Sequence, residues 1–344
     1  MQKAGIYCCI LAAMLAGCNK DDSSDDENNG NWKKGYPELS GDQRAESVVF
    51  VIGDTAYLGT GINRDGEYLR DFMKFTANQG WTQIADLPEG ADARSGAVAF
   101  VADGTAYVGT GQNEDGYRLN DFWAYSPLKG YWEKKAKLVD PDNAARDLSR
   151  KDAVAFAVKG KGYVATGWEQ GGLNDVWQYV PADDKWYRRR SFEGAKRSEA
   201  VAFVIQDIAY LATGVNNSEN KVDFWMYKAD EDDWVQLRDI ANTNDEEDYD
   251  NDYDIACSNA AVAVKNNKAY ISTGTKGGIS KQTWEYNPVT DMWAQKREFE
   301  GAARTGAVAF TLGNVIYLST GRSSGSYFDD TYSFDPDATY DEKD

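Results

Sequence analysis

The sequence predicts an all-β fold made of six copies of one four-stranded unit. Three observations carry this expectation. Six segments align without a gap: Ala45–Gly61, Ser95–Gly111, Lys151–Gly167, Ser198–Gly214, Ser258–Gly274 and Thr305–Gly321. Each begins with an alternating run of small and apolar residues, such as Ala97-Val98-Ala99-Phe100, and ends with a Tyr four residues before a closing glycine. Each is then followed by an aromatic cluster and, in five units, by a lone Trp. Alternation, aromatic enrichment and turn residues at short intervals are the marks of strands.

The elements follow in order within a unit. The alternating run is an inner strand, and a tight turn (Gly53-Asp54, Asp103-Gly104, Asn266-Asn267) leads to a second strand. That strand carries Tyr57, Tyr107, Tyr163, Tyr210, Tyr270 or Tyr317. The third strand holds the aromatic cluster: Asp71-Phe72-Met73, Asp121-Phe122-Trp123, Asp175-Val176-Trp177, Asp223-Phe224-Trp225, Gln282-Thr283-Trp284 or Asp330-Thr331-Tyr332. The outer strand holds Trp81, Trp132, Trp186, Trp234 or Trp293. The sixth unit has no such Trp. Its missing strand lies at the other end of the chain, where Trp32-Lys33-Lys34-Gly35 precedes Arg44 just as Trp81 precedes Arg94. The N-terminal strand should therefore close a ring, which removes the open edge of a linear array.

These residues resemble the kelch repeat: Arg-x-Gly at the start, Tyr before a glycine pair, an aromatic strand, then Trp. The closing glycines recur 47 to 60 residues apart, within the range of kelch blades. The resemblance covers residues 32–334 and implies a six-bladed β-propeller. The chain departs from the pattern uniformly at one place, where Thr-Gly stands for Gly-Gly in every unit.

The chain has 344 residues, 37 Lys and Arg, 56 Asp and Glu, and no histidine. Absence of His excludes Ser-His-Asp and Cys-His catalysis and His-ligated metals. It also removes the copper-oxidase chemistry of the galactose-oxidase-like kelch relatives. A net charge of −19 argues against nucleic acid as a partner. Residues 1–17 read as a secretion signal that ends in Leu15-Ala16-Gly17-Cys18. Those four residues resemble a bacterial lipobox, which implies lipidation of Cys18. Its apolar run is too short to span a bilayer. Residues 18–31 read as an acidic tether and 335–344 as an acidic tail. The Lys20-Asp21-Asp22 start is similar to a surface-export signal. The expected address is the outer membrane of a Gram-negative bacterium, facing the surface, with a lipid anchor as the only membrane contact and the domain a monomer.

Loop length varies mostly on one face, the one shared by second-to-third strand loops and by unit-to-unit connections. Loops on a rigid scaffold are where binding residues gather. Arg44, Arg94, Arg150, Arg197 and Arg304 sit there at the mouth of the inner strand, and Cys257 stands in the fifth unit. They suit an anion site at the axis with a charge opposite to that of the chain, or ion pairs with nearby carboxylates. Two residues on are Glu46, Asp152 and Glu199, candidates for acid–base work. Trp168, Tyr68, Tyr117 and Tyr327 lie in equivalent loops and suit sugar rings, or fold onto the blade tops. Asp250, Asp252 and Asp254 alternate in an acidic insertion. They offer oxygens to Ca²⁺ but lack an EF-hand's spacing, and a solvated loop is the stronger expectation. No other cofactor is implied. The sequence favours a tethered module that binds a glycan or an outer-membrane protein. The alternative is a sugar epimerase or mutarotase that acts on an acidic or acylated amino sugar through carboxylates and arginines, as the sialate-epimerase-like kelch resemblance implies.

Overall fold

The computed structural model describes residues 29–143, 145–241 and 253–343. Among them there is no helix, and the strands form six antiparallel four-stranded blades around one axis. From the axis outward, blade 1 is Val48–Ile52, Thr55–Gly59, Phe72–Thr76 and Gly80–Gln83. Blade 2 is Val98–Ala102, Thr105–Gly109, Phe122–Ser126 and Tyr131–Lys135. Blade 3 is Val154–Val158, Lys161–Ala165, Val176–Val180 and Lys185–Arg189. Blade 4 is Ser198–Ile205, Ile208–Asn216, Trp225–Lys228 and Asp233–Gln236. Blade 5 is Ala261–Lys265, Lys268–Ser272, Thr283–Asn287 and Met292–Lys296. Blade 6 takes Val308–Leu312, Val315–Ser319 and Thr331–Asp335 from the C-terminal end and its outer strand, Asn31–Lys34, from the N-terminal end. Trp32 pairs with Phe334 and Lys34 with Tyr332, so the ring closes as the repeat count predicts.

The core is a set of six seams, because each apolar cluster is shared by two neighbouring blades. Phe50 stacks on Tyr57 across the strand pair with centroids 5.1 Å apart, and Phe100–Tyr107, Phe156–Tyr163 and Phe203–Tyr210 repeat that spacing. In blades 2, 3 and 5 the outer-strand Trp then packs on a third-strand Phe of the preceding blade, as in Phe72–Trp132 at 4.6 Å and Phe122–Trp186 at 4.8 Å. The Trp132 and Trp186 indole N–H groups also donate to a carbonyl of that blade, Ala85 O and Ala136 O. Each such aromatic pair adds about 1 kcal/mol beyond its buried area. The tryptophans therefore bind blades together. The axial side of the inner strands carries small residues such as Ala99, Ala155 and Ala202, which line a narrow central channel.

The segment after residue 335 docks on the closing strand. Gly30 N donates to Ala338 O at 3.2 Å, Asp341 N donates to Asn31 Oδ1 at 3.0 Å, and Arg297 lies 3.6 Å over the Tyr340 ring. Cys18, Asp250 and Asp252 lie outside the described residues.

Candidate functional site

The recurring arginines come first because they set the geometry of the loop face. Arg44, Arg94, Arg150, Arg197 and Arg304 are all fully buried. Arg44 forks onto Asp71 with Nη1–Oδ1 at 2.6 Å and Nη2–Oδ2 at 2.7 Å. Arg94 holds Asp121 at 2.7 and 2.8 Å, Arg150 holds Asp175 at 2.7 and 3.0 Å, and Arg304 holds Asp330 at 2.5 and 3.0 Å. Arg197 pairs with Asp223. Each Nε donates to the carbonyl two residues back, and each Nη1 donates to the carbonyl of the Thr before the closing glycine. Four of the five N–H donors of each guanidinium are engaged in this way and the side chain is fully buried, so it presents no open edge to a ligand. Of the two readings of these arginines, an axial anion site or ion pairs with nearby carboxylates, the structure shows the ion pairs. In blade 5 both members change together, to buried Cys257 and to Gln282, and that joint loss was the sequence signal for the pairing.

The closing glycine ties each blade to the next. Gly61 N donates to Arg94 O, Gly111 N to Arg150 O, and so on around to Gly321 N and Arg44 O, at 2.7–3.0 Å. A second ring lies nearer the axis. The residues two beyond the arginine position are Glu46, Gly96, Asp152, Glu199, Asn259 and Gly306, all with φ between 51° and 64°. The N–H of each donates to the carbonyl of the one in the preceding blade, and Glu46 N completes the circle on Gly306 O. The left-handed conformation that this circle needs suits Gly, Asn and Asp best and costs about 1 kcal/mol or more elsewhere.

This inner ring aims three carboxylates at the axial mouth. Glu46 accepts from Ser95 Oγ at 2.6 Å and from Arg322 Nη2 at 3.2 Å. Asp152 lies over Gly96, where a Cβ would sit 2.3 Å from its Oδ1, and its other oxygen is 3.3 Å from Lys151 Nζ. Burial pushes the Asp152 carboxyl up to about 7, with Glu46 and Glu199 adding to the rise against Lys151. The charge at the mouth is thus set by Glu46, Asp152, Glu199, Lys151 and Arg322.

Beside the mouth, over blades 2 to 5, lies a cavity of about 720 Å³. Trp168, Lys151, Asp152 and Glu199 line it, with Arg118, Gln112 and Asn216. Blade 3 supplies three of these because Trp168 and Lys151 exchange two backbone hydrogen bonds, which places them side by side. Arg118 crosses from blade 2 to lie 4.6 Å over the Trp168 ring. Its Nε and Nη2 donate to Glu169 O at 3.1 and 2.6 Å, and its Nη1 donates to Gly116 O at 3.0 Å. Tyr68 is not among the lining residues. Its hydroxyl accepts from Gln112 Nε2 at 3.0 Å. Tyr117 is 69% exposed and also stands outside the cavity. The sequence reading thus found Trp168, Asp152 and Glu199 but missed Arg118, Lys151, Gln112 and Asn216. Lys151 alone had a signal of this kind, since the residue after the arginine position is small (Ala45, Ser95, Ser198, Ser258, Thr305) everywhere else.

Among the described residues no group of three or more Cys, Asp or Glu is arranged to hold a metal ion. Asp254, the described member of the acidic insertion's alternating trio, ion-pairs with Lys276.

Fold and cavity together define a six-bladed propeller with an off-axis pocket on its loop face. No family model matches the chain, and no curated protein matches it. Among solved structures, that of YjhT is similar, with a TM-score of 0.68 at 15% identity over 86% of this chain and 95% of that one. At that identity the likeness speaks for the fold. A fold shared with 788 solved chains leaves function to be argued from the site.

Proposed function

We propose that the protein is a binding module for a glycan, held at the cell surface by a lipid on Cys18. The observation that carries this is the cavity of about 720 Å³ with an indole on one wall and charged and amide groups around it. A pyranose offers an apolar face for stacking and hydroxyls for hydrogen bonds, and this mixture of lining groups answers both. Lys151 adds a positive charge that suits an acidic sugar. The kelch-like repeat and the Leu15–Cys18 lipobox support a tethered recognition domain of the outer membrane. The test is retention on a glycan array at fixed protein concentration. The expected result is selective retention that falls about tenfold or more in Trp168→Ala, with an unchanged melting temperature. Retention of no glycan, or equal retention by Trp168→Ala, would overturn the reading.

One observation favours a second reading. A carboxyl poised near 7 beside a second carboxylate is suited to move a proton at a sugar carbon. On this reading Asp152 is the acid–base group and Glu199 its neighbour in an epimerase or mutarotase for acylated amino sugars. Anomer and epimer exchange followed by NMR decides it. Catalysed exchange that Asp152→Asn abolishes supports the enzyme, and none across N-acylated hexosamines and acidic sugars removes it.

A further inference from the structure

The inner ring repeats one register around the axis: each member's N–H meets the carbonyl of the member in the preceding blade. The residue just before each member is thereby brought to that same neighbour. At three junctions this sets a serine against a carboxylate. Between blades 1 and 2 the pair is closed, since Ser95 Oγ donates to Glu46 Oε2 at 2.6 Å. The register brings Ser198 to Asp152 between blades 3 and 4, and Ser258 to Glu199 between blades 4 and 5. These two pairs stand open, and all four residues line the cavity of about 720 Å³. Ser198 and Ser258 are each only 6% exposed, yet among the described residues neither hydroxyl has a hydrogen-bond partner. Buried hydroxyls are nearly always bonded, so two left open on one cavity mark a place for a ligand's polar group. The carboxylates differ in their partners. Lys151 Nζ lies 3.3 Å from Asp152, and Arg322 Nη2 lies 3.2 Å from Glu46. Glu199 has neither an ion pair nor a side-chain hydrogen bond among the described residues. Asp152 and Glu199 also line a smaller cavity of about 160 Å³ at the axial mouth, so they stand where the two cavities meet.

We propose that the cavity takes a ligand bearing a primary ammonium group, held between the Glu199 carboxylate and Ser258 Oγ. An ammonium is compact and has three N–H donors and no acceptor. One donates to Glu199 in a charge-assisted hydrogen bond, and another donates to the serine oxygen, which has lone pairs free. A neutral hydroxyl can bridge the same two groups but leaves Glu199 without a counter-charge. An anion would join three carboxylates, Glu46, Asp152 and Glu199, that only Lys151 and Arg322 offset. This rests on reading the cavity as a ligand pocket, and it narrows the glycan reading to sugars with a free amino group.

The experiment titrates ¹⁵N-labelled protein with cyclohexylamine and with cyclohexanol, which differ only in the amine or hydroxyl on one ring. D-glucosamine, N-acetyl-D-glucosamine and D-glucuronic acid follow. Cyclohexylamine should shift the Glu199 and Ser258 amides and bind about tenfold or more tighter than cyclohexanol, the scale of a hydrogen bond to a charged group. Glu199→Gln, which keeps the shape and removes the charge, should abolish that preference. Ser258→Ala should weaken the amine about threefold. Glu231→Gln, in the turn between the third and fourth strands of the same blade, should leave the preference within about twofold. Equal binding of amine and alcohol by wild type, shifts confined to other residues, or a preference that survives Glu199→Gln would overturn the proposal. Tighter binding of D-glucuronic acid than of D-glucosamine would overturn it too, and would leave Lys151 as the charge that selects. Binding of N-acetyl-D-glucosamine with no gain for either amine would keep the glycan reading and remove the ammonium site. Binding of cyclohexylamine at Glu199 and Ser258 without any sugar would do the reverse.

Discussion

At the scale of single residues, two carboxylates show opposite uses of burial. Burial alone would raise Asp121, but the hydrogen bonds and charge of Arg94, with the Trp123 indole, outweigh it and hold the carboxyl below its usual range. A group depressed in this way stabilises the fold above its unfolded value and loses that contribution as pH falls through the folded one. Breaking the pair is costly because it strands a poorly solvated charge, whereas replacing both members is not. Arg94→Cys should therefore cost about 3 kcal/mol in urea unfolding at neutral pH. Arg94→Cys with Asp121→Gln, copying Cys257 and Gln282 of blade 5, should recover most of that loss. A double variant as unstable as the single one would show that the arginine acts through its carbonyl contacts instead. Asp152 has the reverse sign. Its folded value, about 7, lies above the ordinary 3.8, so its contribution is present below that ordinary value and lost as pH rises toward 7. Asp152→Asn should gain on wild type by on the order of 2–4 kcal/mol between pH 4.5 and pH 8, read from unfolding curves at the two pH values. A gap that stays constant would mean that Lys151 keeps Asp152 ionised throughout.

At the scale of elements, the loops after the second strands decide what is scaffold and what is site. Arg118 is a positioning residue. It joins the blade 2 and blade 3 loops through two carbonyls and covers one face of Trp168. Arg118→Ala should move and broaden the Trp168 indole resonance and lower glycan retention about fivefold, within the range of one lost cation–π contact. Arg118→Lys should restore retention in part, because an ammonium keeps the charge but not the planar fork. Normal retention by Arg118→Ala would show that the indole holds its place unaided. The strands and their closure were legible because alternation, Tyr spacing and Trp placement repeat six times, and each follows from local chemistry. The arginines were legible as a set, with ion pairing as one of two readings, but their partners were not, because the paired Asp lies 25 to 27 residues away across the loop. The pocket was half legible. Trp168 stands out as a Trp off the repeat positions, whereas Arg118 carries meaning only once adjacent loops are seen side by side.

At the scale of the whole molecule, stability rests on a closed circle, and one junction is made by strands from opposite ends of the chain. Trp32 is 1% exposed, lies 4.5 Å from Phe334 and 4.9 Å from Phe299 by ring centroids, and donates to Arg297 O at 3.2 Å. Trp186 has the same kind of setting in blade 3, but its strand is held in sequence on both sides. Truncating either to Ala should cost about 3–5 kcal/mol, because the deleted ring leaves a cavity in a packed seam. The consequences should differ. Without Trp186 the strand Lys185–Arg189 stays tied by its hairpin, and the ring stays shut. Without Trp32 the strand Asn31–Lys34 has no hairpin joining it to its neighbour in the sheet and keeps its four backbone pairs, the Arg297 N–Asn29 O bond and the docked tail. Its loss bares the edge of Thr331–Asp335, and an unpaired edge recruits another chain. Gel filtration across a concentration series checks this. Trp186→Ala should elute with wild type, and Trp32→Ala should elute earlier as concentration rises. Identical elution of the two variants would mean that the seam between blades, and not the closure of the ring, governs how the propeller opens.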